Sequence, residues 1–267
     1  MLGAIVGDVI GSVHEGAGTK TKDFPLFVAD STFTDDTVLT AAVAEKLLRG
    51  GDYVDLFHRY FDAYPTAGFG GTFLRWAGNR RRDPYNSWGN GSAMRVSPVG
   101  LAFDTLDEVM RHAEESAAVT HNHPEGVKGA QATAAAVFLA RTGTSKDEIK
   151  SHVEGTFGYD LGARLDDIRP GYRFDVSCQG SVPQALIAFL ESSDYEDAVR
   201  NAISLGGDAD TMAAVAGAVA EAYYGGVPDA IAVPALERLD VPLRATVAEF
   251  TQTFGHKYLR EPARGNP

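Results

Sequence analysis

Apolar side chains recur at three- and four-residue spacings along most of this chain, the rhythm that puts them on one face of an α-helix. Thr37 to Leu48, Leu106 to Val119, Gly126 to Arg141, Val182 to Leu190, Tyr195 to Leu205 and Thr211 to Tyr224 all carry it. Asp107, Ser181, Asp194 and Asp210 offer capping side chains near the starts of four of these segments. Long alternating patterns are missing, and Arg169 to Val176 is the best candidate for a strand. The pattern predicts an all-α architecture.

Two helices are expected at the centre. Gly3, Gly7 and Gly11 recur every fourth residue and would leave one helix face bare; Ala213, Gly217 and Glu221 repeat that step on a segment that is nearly apolar all round. The second of these begins at Asp210-Thr211, so its N-terminus would aim an acidic cluster out of a rigid core. Glycine-rich loops fall at Gly68-Phe69-Gly70-Gly71, Trp88-Gly89-Asn90-Gly91-Ser92 and Leu205-Gly206-Gly207. No linker, low-complexity tract or repeat divides the chain. The expectation is one domain over 1–260, with 261–267 a frayed tail.

The composition is that of a soluble globular protein: 267 residues, 44% hydrophobic, 22% charged. A net charge of −12 argues against general nucleic-acid binding or an anionic membrane surface, both of which need basic patches. No uncharged apolar run reaches the roughly 18 residues of a membrane span, and the N-terminal stretch carries Asp8 without a basic flank, unlike a signal peptide. With Cys178 as the single cysteine, no intramolecular disulfide can form and a cytoplasmic protein is expected; a single compact domain makes monomer the default. Cys178 itself reads as a passive buried thiol.

The chemistry concentrates in two acidic clusters far apart in sequence, Thr34-Asp35-Asp36-Thr37 and Asp208-Ala209-Asp210-Thr211. Each lies at a loop-to-helix junction, where Thr and Asp also serve as N-caps. A cap needs one side chain, however, and each cluster supplies three or four. Carboxylates forced together repel unless a cation joins them, and carboxylate plus hydroxyl oxygens suit Mg²⁺ or Mn²⁺. Glu15, in the loop after the first helix, could act as a general base or hold a lid, or be a solvated charge. Asp8 is expected to satisfy buried backbone groups. Gly89-Asn90-Gly91-Ser92-Ala93-Met94-Arg95 offers backbone N–H groups for an anion, although no Walker-type Lys follows. Thr120-His121-Asn122-His123 is a weak zinc signal and reads better as a polar loop giving one substrate hydrogen bond. Arg80-Arg81-Arg82 reads as an exposed loop.

In this order the motifs resemble the ADP-ribosylglycohydrolase family. The matching stretches are Gly3 to Gly11, Phe33 to Thr37, Gly89 to Arg95, Thr120-His121 and Gly206 to Thr211. They span nearly the whole chain. The resemblance implies an all-α fold with a binuclear centre of two Mg²⁺ or Mn²⁺. Thr34, Asp35 and Asp36 would ligate from one side, and Asp208, Asp210 and Thr211 from the other. Glu15 would be the family's mobile glutamate beside the metals. Gly89, Asn90, Gly91 and Ser92 would hold the diphosphate, with His121 and the Gly70-Gly71 loop lining the ADP-ribose and Phe69 or Trp88 stacking on adenine. The implied reaction is hydrolysis of an α-linked ADP-ribosyl group, with Asp36 or Glu15 handling the proton. The acceptor stays open among arginine, serine, a nucleic-acid base, an O-acetyl ester and a small metabolite. Two alternatives remain: a non-catalytic ADP-ribose binder, and a metal-dependent phosphohydrolase of the haloacid dehalogenase type, which needs a strand before its Asp-x-Asp.

Overall fold

The glycine face of the first helix does what its spacing predicts. In the computed structural model, which describes residues 1–259, α1 (Leu2–Gly11) is buried along nearly its whole length. It lies against a late helix, Ala209–Tyr224, running in the opposite direction. A β-carbon at Gly3 would lie 2.3 Å from the carbonyl oxygen of Gly217, and one at Gly7 2.2 Å from that of Ala213. One at Gly11 would lie 2.5 Å from the Cα of Asp210. Only glycine allows two helix backbones to come this close. Glu221, from the late helix, accepts hydrogen bonds from the Gly3 N–H (2.8 Å) and the Met1 amino group (2.6 Å), serving donors that open α1 without an intrahelical partner.

Between these two helices the chain forms α2 (Asp35–Arg49), α3 (Tyr53–Ala63), α4 (Gly71–Gly78), α5 (Gly91–Met94), α6 (Ser97–Ala102), α7 (Leu106–Ala118) and α8 (Pro124–Arg141). There follow α9 (Lys146–Phe157), α10 (Leu165–Ile168), α11 (Cys178–Leu190) and α12 (Tyr195–Ile203), then the late helix α13 (Ala209–Tyr224), α14 (Asp229–Glu237) and α15 (Val241–Phe254). The helix α13 is the axis: Ala209 to Ala222 are all buried, under α1, α8, α11 and α12. The architecture is all-α, as predicted, and one hydrophobic core runs through it.

Several boundaries differ from the sequence reading because other side chains cap. Thr34 opens α2 by accepting from the Asp36 N–H, and Thr105, not Asp107, opens α7 through a capping box with Glu108. Ser177, not Ser181, opens α11, while α13 starts after Asp208 rather than at Asp210, without a side-chain cap bond. The strand expected at Arg169 to Val176 does not form, and no strand occurs among the described residues. Arg169 ends α10, and the following segment touches the Trp88–Ser92 loop at one bridge, where Asn90 N donates to Val176 O (2.8 Å) and Cys178 N to Trp88 O (2.9 Å). With no further extended neighbour there, the pairing stops at that bridge. The expected tail, 261–267, lies outside the described residues.

Candidate metal centre

The antiparallel packing of α1 on α13 carries the C-terminal end of α1 to the N-terminal ends of both α2 and α13. Asp8 is wholly buried there and binds the Thr34-Asp35-Asp36-Thr37 motif through both threonines. It accepts from Thr34 N (2.9 Å), Thr34 Oγ1 (2.7 Å), Thr37 N (3.1 Å) and Thr37 Oγ1. The expectation that Asp8 satisfies buried groups is met. Across the site, Thr211 Oγ1 donates to Asp36 Oδ2 (3.3 Å), joining the two motifs directly. Asn90 Nδ2 donates to Asp208 Oδ2 (2.7 Å), tying the glycine-rich loop to the second motif. Glu15 reaches in from the turn after α1, and its carboxylate lies with those of Asp208 and Asp210 so that one oxygen of each falls within 4.8 Å of the others.

Burial without a counter-charge leaves these acids hard to ionise. Desolvation, then Asp8, pushes the Asp35 carboxyl up to about 8. Desolvation and Asp210 hold Asp36 well above the usual carboxylate range, and desolvation and Asp208 do the same to Asp210. Asp208 is raised by burial, and Glu15 by desolvation and then by Asp208 and Asp8. The positive ends of α2 and α13 face the cluster but cannot neutralise so many carboxylates. Asp36 Oδ1 is buried with no hydrogen-bond partner among the described residues. An orphaned buried oxygen within a set of carboxylate and hydroxyl donors, with no thiol or imidazole, fits hard divalent cations.

The cluster lines a cavity of about 350 Å³. Glu15, Thr34, Asp35, Asp36, Asp208, Asp210 and Thr211 share that lining with Gly70, Gly71, Gly89, Asn90, Gly91 and His121. Ser92 is not in the lining. Its hydroxyl turns beneath the loop and donates to Gly126 O (2.7 Å). Phe69 and Trp88 are absent too: Phe69 is buried in a stack with Phe73, while Trp88 is 54% exposed beside His123. Cys178 is buried, its thiol pushed up to about 12, as a passive thiol should be. The Arg80–Arg82 loop is exposed, with Arg80 on Asp62 and Arg82 on Asp52 and Asp55. Tyr85, Ser87, Phe73 and Val176 also line the cavity, and no motif in the sequence marks them.

The model of the ADP-ribosylglycohydrolase family matches residues 1–260. The chain belongs to that family. It is an enzyme of the glycohydrolase type, and the resemblance read from the motifs holds. The chain is 30% identical to mouse ADP-ribosylhydrolase ARH3 over 84% of this chain and 82% of the relative. It is 29% identical to the human protein of the same name, over 84% of each. A Pseudomonas putida protein, ADP-ribosylarginine hydrolase Tri1, is 26% identical over 84% of this chain and 69% of its own length. A solved structure of an ADP-ribosylglycohydrolase-related protein complex superposes with a TM-score of 0.66 at 27% identity, covering 94% of this chain and 96% of the other. The dehalogenase alternative lacks its strand: Gly206, with φ +67°, and Gly207 lead from loop into α13. No helix of the described residues is long and apolar enough to cross a membrane.

Proposed function

We propose that this ADP-ribosylglycohydrolase removes an α-linked ADP-ribosyl group from its acceptor, using two Mg²⁺ or Mn²⁺ ions held by Thr34, Asp35, Asp36, Asp208, Asp210 and Thr211. The observation that carries the reading is the meeting of both acidic motifs and Glu15 in one cavity that the Gly89–Gly91 loop also lines. When bound, such ions neutralise the carboxylates, orient vicinal hydroxyls and lower the pKa of a coordinated water.

The chain's own groups do the rest. The ribose at the scissile bond sits at the acidic end, and the diphosphate lies along Gly89, Asn90 and Gly91, where the glycines let backbone approach phosphate. Glu15 stands on a turn flanked by Gly16 and Gly18, both with positive φ, and is exposed. It can swing toward the anomeric carbon, accept a proton from the attacking water and return one to the leaving group. Asp36 is fixed by its helix and by Thr211, which suits a ligand better than a moving base. The reading of a non-catalytic binder has less support, since every acidic position faces the cavity.

The test is a release assay on arginine-, serine- and nucleotide-linked ADP-ribose, with and without chelator. Turnover of at least one linkage, abolished by chelator and by Asp35→Ala or Asp208→Asn, is the expected outcome. Full release by either variant would overturn the mechanism.

A further inference from the structure

The turn that carries Glu15 is held at two feet. The upstream foot continues α1, with His14 N donating to Gly11 O (2.7 Å). Across the neck, His14 Nδ1 and Thr19 Oγ1 share a hydrogen bond of 3.0 Å, so the exposed residues Glu15 to Gly18 form a small closed loop. Gly16 and Gly18 have φ +66° and +67°, and a β-carbon on either would meet nothing within 4 Å, so no packing restrains the loop itself. Restraint has to come from the feet. The downstream foot is Lys20, whose ammonium donates to Tyr172 O (2.6 Å) and to Leu205 O and pairs with no carboxylate among the described residues. Neither carbonyl is free to drift. The Tyr172 hydroxyl donates to Gly180 O (2.7 Å), and its ring packs so close that a β-carbon on Gly207 would lie 2.4 Å from it. Leu205 leads through Gly206 and Gly207 into Asp208. A β-carbon on Gly206 would lie 2.8 Å from Thr19 O and 3.0 Å from the Cε of Lys20, so the foot rests on the backbone that delivers the second acidic motif.

We propose that Lys20 is a positioning residue: it clamps the downstream foot of the Glu15 turn onto Leu205 and Tyr172, so that the swing of the glutamate is confined to Glu15–Gly18 and stays centred on Asp208 and Asp210. The carboxylate oxygens of those two aspartates lie within 4.8 Å of one of Glu15, close enough that a shift of the foot would be felt at the site. The effect on turnover rests on the reading of Glu15 as the group that moves the proton; the clamp rests on hydrogen bonds and packing alone.

Both parts are tested on the full chain. A nitroxide attached through Ala17→Cys reports the turn directly, since Cys178, the only native cysteine, is buried. Lys20→Met keeps the stem of the side chain but removes its donors. It should sharpen the nitroxide's EPR spectrum and lower kcat about tenfold, the worth of one hydrogen bond to a charged group, with KM little changed for whichever linkage the wild type hydrolyses. Lys20→Arg, which can still donate to both carbonyls, should restore spectrum and rate. In a Glu15→Gln background Lys20→Met should cost nothing further, because the group it positions is gone. A spectrum unmoved by Lys20→Met, an undiminished kcat, or losses that multiply in the double variant would each overturn the proposal. Should Glu15→Gln alone turn over like the wild type, the proton role of Glu15 fails, and the spectrum still decides whether Lys20 clamps the turn.

Discussion

Replacing Gly7 by alanine pits helix propensity against packing. In an isolated helix the change should stabilise by about 1 kcal/mol, because alanine loses less backbone freedom on ordering. In this protein the new methyl group would meet the Ala213 carbonyl oxygen at 2.2 Å, its carbon at 2.5 Å and the Ala214 nitrogen at 2.9 Å. All three are backbone atoms of α13, so no side chain can turn aside and the helices must separate. Overpacking of a tight core costs typically about 1–3 kcal/mol, and a clash with rigid backbone belongs at the top of that range. The net loss is then about 2 kcal/mol, a fall in melting temperature of roughly 4–8 °C for a chain of this size. Gly155 supplies the control: it lies in α9, where a β-carbon would meet nothing within 4 Å, so Gly155→Ala should raise stability by up to about 1 kcal/mol. Scanning calorimetry on both variants reads the difference. If Gly7→Ala is as stable as wild type or more so, the contact between α1 and α13 does not have the closeness described.

Glu15→Gln should fold normally, since the side chain is exposed, and should lower kcat by about 100-fold if the carboxylate moves the proton; unchanged turnover would assign that role elsewhere. Adding Mn²⁺ to chelator-treated protein should raise the melting temperature in a concentration-dependent way, and Asp36→Asn should abolish most of the rise. Glu45 gives a test by pH. Burial works against its carboxylate, but hydrogen bonds from Arg59 and Tyr60 and the charges of Arg59 and Arg49 hold it below the ordinary range. A lowered carboxyl pKa contributes stability at neutral pH that is lost as pH falls through the folded value. Glu45→Gln should therefore cost about 1 kcal/mol at pH 7 and nothing once the wild-type carboxyl is protonated, as followed by urea unfolding at several pH values. Arg82→Ala, which removes exposed ion pairs to Asp52 and Asp55, should leave stability unchanged within error in the same assay.

Much of the architecture is legible in the residues because the strongest signals have one physical meaning each. Three glycines at four-residue spacing admit little but close helix contact, and the acidic motifs at helix starts make sense together only if they meet. Amphipathic segments such as Leu106–Ala118 announce themselves by periodicity. What escaped depended on partners remote in sequence. The helix α9 carries a capping box at Ser145 and Glu148 that could have marked it, yet its apolar face is sparse. Arg169 to Val176 has strand-like residues, but a strand needs a neighbour and only one bridge is available. In the site, Ser92 sits within the expected motif, but the turn into α5 aims its hydroxyl at Gly126, which no spacing announces. Tyr85, Ser87 and Val176 reach the cavity from irregular loops, where spacing carries no information about direction. The adenine platform could not be chosen from Phe69 and Trp88 because aromatic identity says nothing of burial.

The contact between Gly11 and Asp210 also bears on how the protein comes into being. During synthesis, which proceeds from the N-terminus, roughly two hundred residues must emerge before the halves of the acidic cluster can touch, so the candidate metal centre forms only on a nearly complete chain. Divalent ions would then reward only chains that have finished this long-range closure.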